Sequence, residues 1–282
     1  MPDISFPYAF SPKRKTAREF GRVLKQISAR LGKLRKARPD DDIETVHEIR
    51  TTIKLLRTLL WFAQSALAPT TRAFAKIELQ NAARLLATRR DLLAMQSTLK
   101  SLAEESEAPK VHAVIHRTGA LLAAHAPKIK TGAWLRQRNE ALALVQKTIR
   151  LLIHAAAAGS SWKSPRKRLR KARAAADRAR QTAEDDPTPV HFHEWRKKVK
   201  RLLYLLQLFH RRPKGKKKRA IEKVDELQHF LGDHHDTVVL REHLTRHHPA
   251  KAAHPEFQPF FTLLEERLKR LERKAGRVAR KL

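Results

Sequence analysis

Two stretches of 17 residues carry the same helical pattern, and this duplication narrows the possible folds more than any other feature. Residues 47–63 read HEIRTTIKLLRTLLWFA and residues 193–209 read HEWRKKVKRLLYLLQLF. Aligned without gaps they share His, Glu, Arg, Lys and three Leu, seven of 17 positions, at an offset of 193 − 47 = 146 in a chain of 282 residues. A second match, LLATRRDLL at 85–93 with FLGDHHDTV at 230–238, aligns Asp91 with Asp236 at an offset of 145. Two matches at nearly one spacing point to an internal duplication. In one copy Val46, Ile49, Ile53, Leu56, Leu60 and Ala63 follow a 3-4-3-4-3 spacing, and in the other Phe192, Trp195, Val199, Leu202, Leu206 and Phe209 do the same. That period is the buried stripe of an α-helix. The expectation is an all-α chain of two homologous antiparallel helical bundles related by a pseudo-twofold axis. Their bounds would be 12–130 and 131–282, within a single domain of residues 1–282.

The rest of the chain agrees with helix. Only 8 glycines occur, Ala, Leu, Arg, Lys and Glu dominate, and alternating β-branched runs are missing. Breaks are expected at Pro39 with Asp40, Asp41 and Asp42, at Pro69-Thr70-Thr71, at Ala108-Pro109 and at Ala126-Pro127. Further breaks are expected at Gly159-Ser160-Ser161, Asp185-Asp186-Pro187, Arg212-Pro213, Gly232-Asp233 and His254-Pro255, which leaves about ten helical segments. The segment from Phe257 to Leu282 is charged on most faces and should bury a narrow stripe.

Charge bounds the function. Lys and Arg total 61 against 28 Asp and Glu, a net charge of +33, while 41% of residues are apolar. This is a folded protein whose like charges call for a polyanionic partner. There is no cysteine, which excludes disulfides, thiolate metal sites and cysteine nucleophiles and fits a reducing compartment. No apolar run approaches the roughly 18–20 residues that span a bilayer, and MPDISFPYAF lacks the pattern of a signal peptide. The expected location is therefore cytoplasmic, without membrane insertion.

One residue after each core position lies a basic row: His47, Arg50, Lys54 and Arg57 in the first copy, and His193, Arg196, Lys200 and Leu203 in the second. One residue is about 100° of rotation, so the row flanks the core face and is partly covered by the next helix. Basic side chains usually occupy the open face instead. Cations aligned on a flank repel one another more strongly than in water, and a shared anion relieves this. Offsets of 0, 3, 7 and 10 span about 15 Å of helix, enough for several successive phosphates. Lys197, Lys198 and Arg201 widen the second row, and Tyr204 can donate a hydrogen bond. Simple snorkelling explains one such row; two in corresponding places favour a binding role.

At these residues the chain resembles the CHAD family, the conserved histidine α-helical domain. The resembling motifs are HEIRTTIKLLR at 47–57, TRRD at 88–91, HEWRKKVKRLLY at 193–204 and LGDHHD at 231–236. The resemblance implies two pseudo-twofold-related bundles flanking a basic central channel that binds inorganic polyphosphate without catalysis. It implies contacts from His47, Arg50, Lys54, Arg57, Arg89, Arg90, His193, Arg196, Lys197, Lys200, Arg201, Tyr204 and His235. Lys218 and Arg219, on the helix after the second motif, join them. Leu203 stands where relatives usually carry Arg, so the second half should hold phosphate less tightly there unless Arg201 substitutes. Some relatives carry a fused triphosphatase domain; this chain reads as a stand-alone module, with association to polyphosphate or storage granules a further expectation.

Other constellations add little chemistry. Asp91 and Asp236 are expected to orient neighbouring Arg and His side chains. His229, His234, His235, Asp236, His243 and His247 invite a metal reading, with His243 and His247 at i, i+4. The surrounding cations disfavour it, so no metal and no cofactor is expected. KGKKKR at 214–219 reads as a flexible basic patch, and 161–180 as an outer basic helix that adds long-range field. Non-specific nucleic-acid binding is the alternative, but only 17 aromatic residues leave few stacking platforms. A metal-dependent phosphoanhydride hydrolase would need carboxylates better gathered than these, so no enzymatic activity is expected.

Overall fold

In a computed structural model, residues 8–11, 13–34, 42–125, 131–159, 161–210 and 212–282 are described. Among them are eleven α-helices, one 3-10 turn and no strand. The helices are α1 (Thr16–Leu34), α2 (Asp42–Phe62), α3 (Pro69–Leu85), α4 (Ala87–Glu105), α5 (Pro109–His125), α6 (Thr131–Ala158), α7 (Pro165–Asp185), α8 (Pro189–Phe209), α9 (Gly215–His247), α10 (Pro249–Ala253) and α11 (Gln258–Ala279). Five of them open on proline, whose fixed φ suits the first helical position and whose missing N–H is not needed there. The breaks expected at Pro39 to Asp41, Ala126-Pro127 and Ser160 lie outside the described residues.

Three sequence expectations are corrected. The break at Gly232-Asp233 is absent: α9 runs through it for 33 residues. The helix-propensity cost of one glycine, about 1 kcal/mol, is outweighed by Leu227, Leu231, His234, Thr237 and Val238, all buried around it. The KGKKKR run is not a loose patch but the first turn of α9, opened by Gly215 at φ 54, a left-handed conformation that glycine adopts without strain. Finally, α6 does reach membrane-spanning length and composition, with a mean hydropathy of 1.3 over Gly132–Ala158. In the fold it is a core helix, packed against α1 and α3, with Trp134, Leu142, Val145, Ile149 and Leu152 buried. Ala-rich turns and scattered charges hid its apolar content from a search for unbroken runs.

Helix pairing also differs between the two copies. The first copy is interrupted at Leu86, between α3 and α4, where the second continues as α9. Ala87, which opens α4, aligns with Gly232 in mid-helix.

The chain forms two compact units. One comprises Met1–Arg90, Ile129–Ala174 and Arg201–Ile221. Its core takes Phe20, Val23, Leu24, Ile27 and Leu31 from α1, the stripe of α2, and Ala75, Leu79 and Ala82 from α3. Phe10, Phe62 and Phe209 form an aromatic group, with Phe20 and Phe62 also against Trp162. Glu19, fully buried, accepts hydrogen bonds from Ser11 N and Arg22. Burial opposes its ionisation, but Arg22, the Ser11 N–H and Arg14 outweigh that and hold its carboxyl below the ordinary value.

The other unit comprises Asp91–Lys128, Ala175–Lys200 and Glu222–Leu282. Met95, Leu99 and Leu102 of α4, Val111, Val114, Ile115 and Leu122 of α5, and Phe260 and Leu264 of α11 share its core with Leu240 and Leu244. The narrow stripe expected after Phe257 is present as Phe260, Leu264, Leu268, Leu271, Ala275 and Val278. Arg267 also lies in it, donating to Ser101 Oγ at 3.1 Å and paired with Glu105.

One tight approach yields a stability prediction. A Cβ on Gly159 would sit 2.3 Å from the Ala66 carbonyl oxygen and 3.2 Å from its carbon. Backbone cannot yield as a side chain can, so Gly159→Ala is expected to destabilise the fold by about 1–3 kcal/mol. A denaturant midpoint unchanged from wild type would contradict that.

Candidate basic phosphate site

The core stripes of α2 and α8 are buried as their periodicity demands. Val46, Ile49, Ile53, Leu56, Leu60 and Ala63 are all buried, as are Phe192, Trp195, Val199, Leu202 and Leu206, with Phe209 half-buried. The flanking rows therefore lie where a rotation of about 100° puts them. Arg50 and Lys54 are half-buried on α2, with His47 and Arg57 exposed; His193, Arg196, Lys200 and Arg201 are half-buried on α8.

On α2 the row reaches over α3. Arg50 Nη1 donates to the Ala83 carbonyl at 3.3 Å and Arg57 Nη2 to the Leu79 carbonyl at 3.3 Å. As α2 advances the partner number falls, so the two helices are antiparallel. Loss of hydration at this contact lowers the Arg57 pKa from its ordinary value, although the residue as a whole stays exposed.

On α8 the row faces α9 in the same antiparallel sense. His193 and His235 bring their Nδ1 atoms to 3.3 Å, with ring centroids 4.5 Å apart, so one ring donates and the other accepts. A Cβ built on Gly232 would lie 3.9 Å from Arg196 Nε. Lys200 Nζ donates to Gln228 Oε1 at 3.0 Å. Thus 193, 196 and 200 meet 235, 232 and 228. Gln228 escaped the sequence reading, yet it lies two turns before His235 on the same face of α9. Because the built Cβ on Gly232 has only ordinary contacts, 3.8 Å to Gln228 Nε2 and 3.9 Å to Arg196, Gly232→Ala is expected to stabilise the protein by about 0.5–1 kcal/mol. A lower melting temperature for that variant would show the row to be tighter than described.

These hydrogen bonds share a property. Ala83 O, Leu79 O and Gln228 Oε1 are uncharged acceptors, and each fixes the direction of the side chain that donates to it. Lys197 differs. It is exposed and paired with Glu194, whose carboxyl is held below its ordinary value chiefly by that hydrogen bond, against the opposing effect of burial. An exposed pair of this kind contributes about 0–1 kcal/mol, little enough for a phosphate to displace.

The remaining expected residues fall as follows. Arg89, in the first turn of α4, lies over the Trp134 ring at 5.0 Å to its centroid, and Arg90 beside it is half-buried. Arg201 lies over Trp61 at 5.0 Å. Lys218 and Arg219 are exposed at the start of α9, and Tyr204 is buried. Asp91 and Asp236 are half-buried at corresponding positions of α4 and α9. Leu203 is a core residue, 3% exposed, within an unbroken buried run from Leu202 to Leu206. Among the described residues no group of three or more His, Asp and Glu side chains could hold a metal ion. His243 and His247 instead set their rings 4.6 Å apart.

Among curated proteins none matches the chain. Of solved structures, the crystal structure of the CHAD domain from the plant Ricinus communis is similar, with a TM-score of 0.73 and 19% sequence identity over 99% of this chain and 96% of that one. That likeness is one of fold, and it agrees with the all-α architecture described above. The CHAD domain model matches residues 14–245, a span that takes in both copies of the duplicated helix and both aspartate-closed segments. With most of its length so matched, the chain belongs to the CHAD family.

Proposed function

We propose that this protein binds inorganic polyphosphate through the Lys, Arg and His rows of α2 and α8, breaks no bond in doing so, and works in the cytoplasm, with polyphosphate or storage granules as a site of association. In this reading the rows line the basic channel that the family resemblance implies. The observation that carries it is the placement of the duplicated rows: Arg50 and Lys54 on α2, and His193, Arg196 and Lys200 on α8, lie half-buried along the flank of a buried stripe at corresponding positions. A phosphate chain offers one charge after another along such a row, and charge-assisted bonds to it are stronger than those to neutral acceptors. The CHAD family is linked to polyphosphate binding in general, and the +33 net charge favours any such polyanion.

Nucleic acid fits less well. Trp134 and Trp195 are buried, Trp61 is covered by arginines and Trp162 packs on Phe20 and Phe62, so these rings are not platforms for bases. Competition decides the matter. At matched phosphate concentration and salt, unlabelled DNA or RNA is expected to leave bound long-chain polyphosphate in place. Displacement by either would overturn the preference.

A further inference from the structure

The first turns of α7 carry exposed cations, as an outer basic helix should, with Arg168 as the exception. Arg168 is 2% exposed. Its Nη2 donates to Ser65 Oγ at 3.0 Å, its guanidinium lies 5.4 Å from the Trp61 ring centroid, and its Nε is buried with no hydrogen-bond partner. None of these contacts is a carboxylate. Burial lowers the Arg168 pKa from its ordinary value, the mark of a cation removed from water without compensation.

Beside Arg168 is a cavity of about 230 Å³ lined by Lys163, Lys167, Arg168, Arg170, Lys171 and Ala174. It has room for roughly eight waters, and five of its six lining residues are cationic. The segment that builds it is fixed in place. Gly159 lies against Ala66, Trp162 Nε1 donates to the Gly159 carbonyl at 3.0 Å, and the Trp162 ring packs on Phe20 and Phe62. The cavity stands at the start of the 21-residue helix α7, where the helix dipole adds partial positive charge.

We propose that this cavity is a second oxyanion site, separate from the rows of α2 and α8, which takes a multiply charged phosphate group: the terminal phosphate of a polyphosphate chain or a short free oligophosphate. The buried guanidinium of Arg168 holds a positive charge among the residues that line the cavity, and the four flanking cations suit a ligand with more than one charge. The site does not depend on the rows being the polyphosphate site.

The test uses calorimetric titration of the full chain with tripolyphosphate and, separately, with long-chain polyphosphate. Arg168 is packed on Trp61, so the variant is Lys167→Glu with Lys171→Glu, two exposed positions. Arg273→Glu with Arg277→Glu on α11, also exposed, makes the same charge change as a control. Two charge-assisted contacts reversed should weaken tripolyphosphate at this site roughly a hundredfold, with the control changed only a fewfold. A protein carrying Arg50→Glu and Arg196→Glu should retain one tripolyphosphate site per chain. Equal losses in the α7 variant and the control would overturn the proposal, as would loss of all tripolyphosphate binding in the row variant. If the α7 variant also weakens long-chain polyphosphate, the ligand is a chain end; if only tripolyphosphate suffers, it is a short free oligophosphate.

Discussion

A protein carrying Arg50→Glu and Arg196→Glu together is expected to lose at least a hundredfold in polyphosphate affinity while keeping its helicity and its melting temperature within a few degrees. The magnitude follows from the contacts. A hydrogen bond to a charged group contributes about 1.5–3 kcal/mol, and reversal replaces attraction by repulsion at both positions, so a loss of about 3–6 kcal/mol is the modest end. The small effect on stability follows from placement. Arg50 and Arg196 flank the buried stripes rather than belong to them, and the bond from Arg50 to the Ala83 carbonyl, at 3.3 Å, stands at the weak end of that range. Calorimetry reads the affinity, and circular dichroism the fold. Normal binding by a folded double variant would mean that the duplicated rows are not the site.

The second large effect is that of salt. If 6–10 phosphates are neutralised by Lys and Arg, affinity should fall roughly 300- to 16,000-fold between 50 and 200 mM salt, because binding releases condensed counterions. Inorganic polyphosphate is a single strand, for which the slope of log affinity on log salt is about −0.7 for each phosphate contacted. The Arg50/Arg196 variant should lose roughly two contacts from that slope. A nearly flat salt response would point to a ligand held by shape or apolar contact, and would contradict an electrostatic row.

The core stripes were legible in sequence because a 3-4-3-4-3 spacing on a helix leaves no freedom about which face is inside, and every member of both stripes proved buried or half-buried. The flanking rows followed from the same geometry. Leu203 shows its limit. It was placed on the row by offset alone, but residues 202–206 of α8 are buried on every face, and at such a stretch core and flank cease to be distinct. A leucine there packs in the core.

Helix continuity was harder to read, because local signals compete with packing that involves distant residues. Gly232 marked a break that buried neighbours suppress, while the interruption at Leu86 carries neither glycine nor proline. Arg168 was hidden by its surroundings, since 161–180 is basic on all sides. One signal was present: Arg168 stands four residues before Ala172 and eight before Ala176, at the head of the small-residue stripe that α7 buries. An arginine in register with such a stripe belongs to the inside. Trp61 gave no signal at all, since its two arginine partners come from elsewhere in the chain.

A crystal structure of the protein with a polyphosphate of defined length tests the central claim most directly. Phosphate oxygens are expected within hydrogen-bonding distance of Arg50 and Lys54 on α2 and of Arg196 and Lys200 on α8. A chain bound with both of those rows untouched would contradict it.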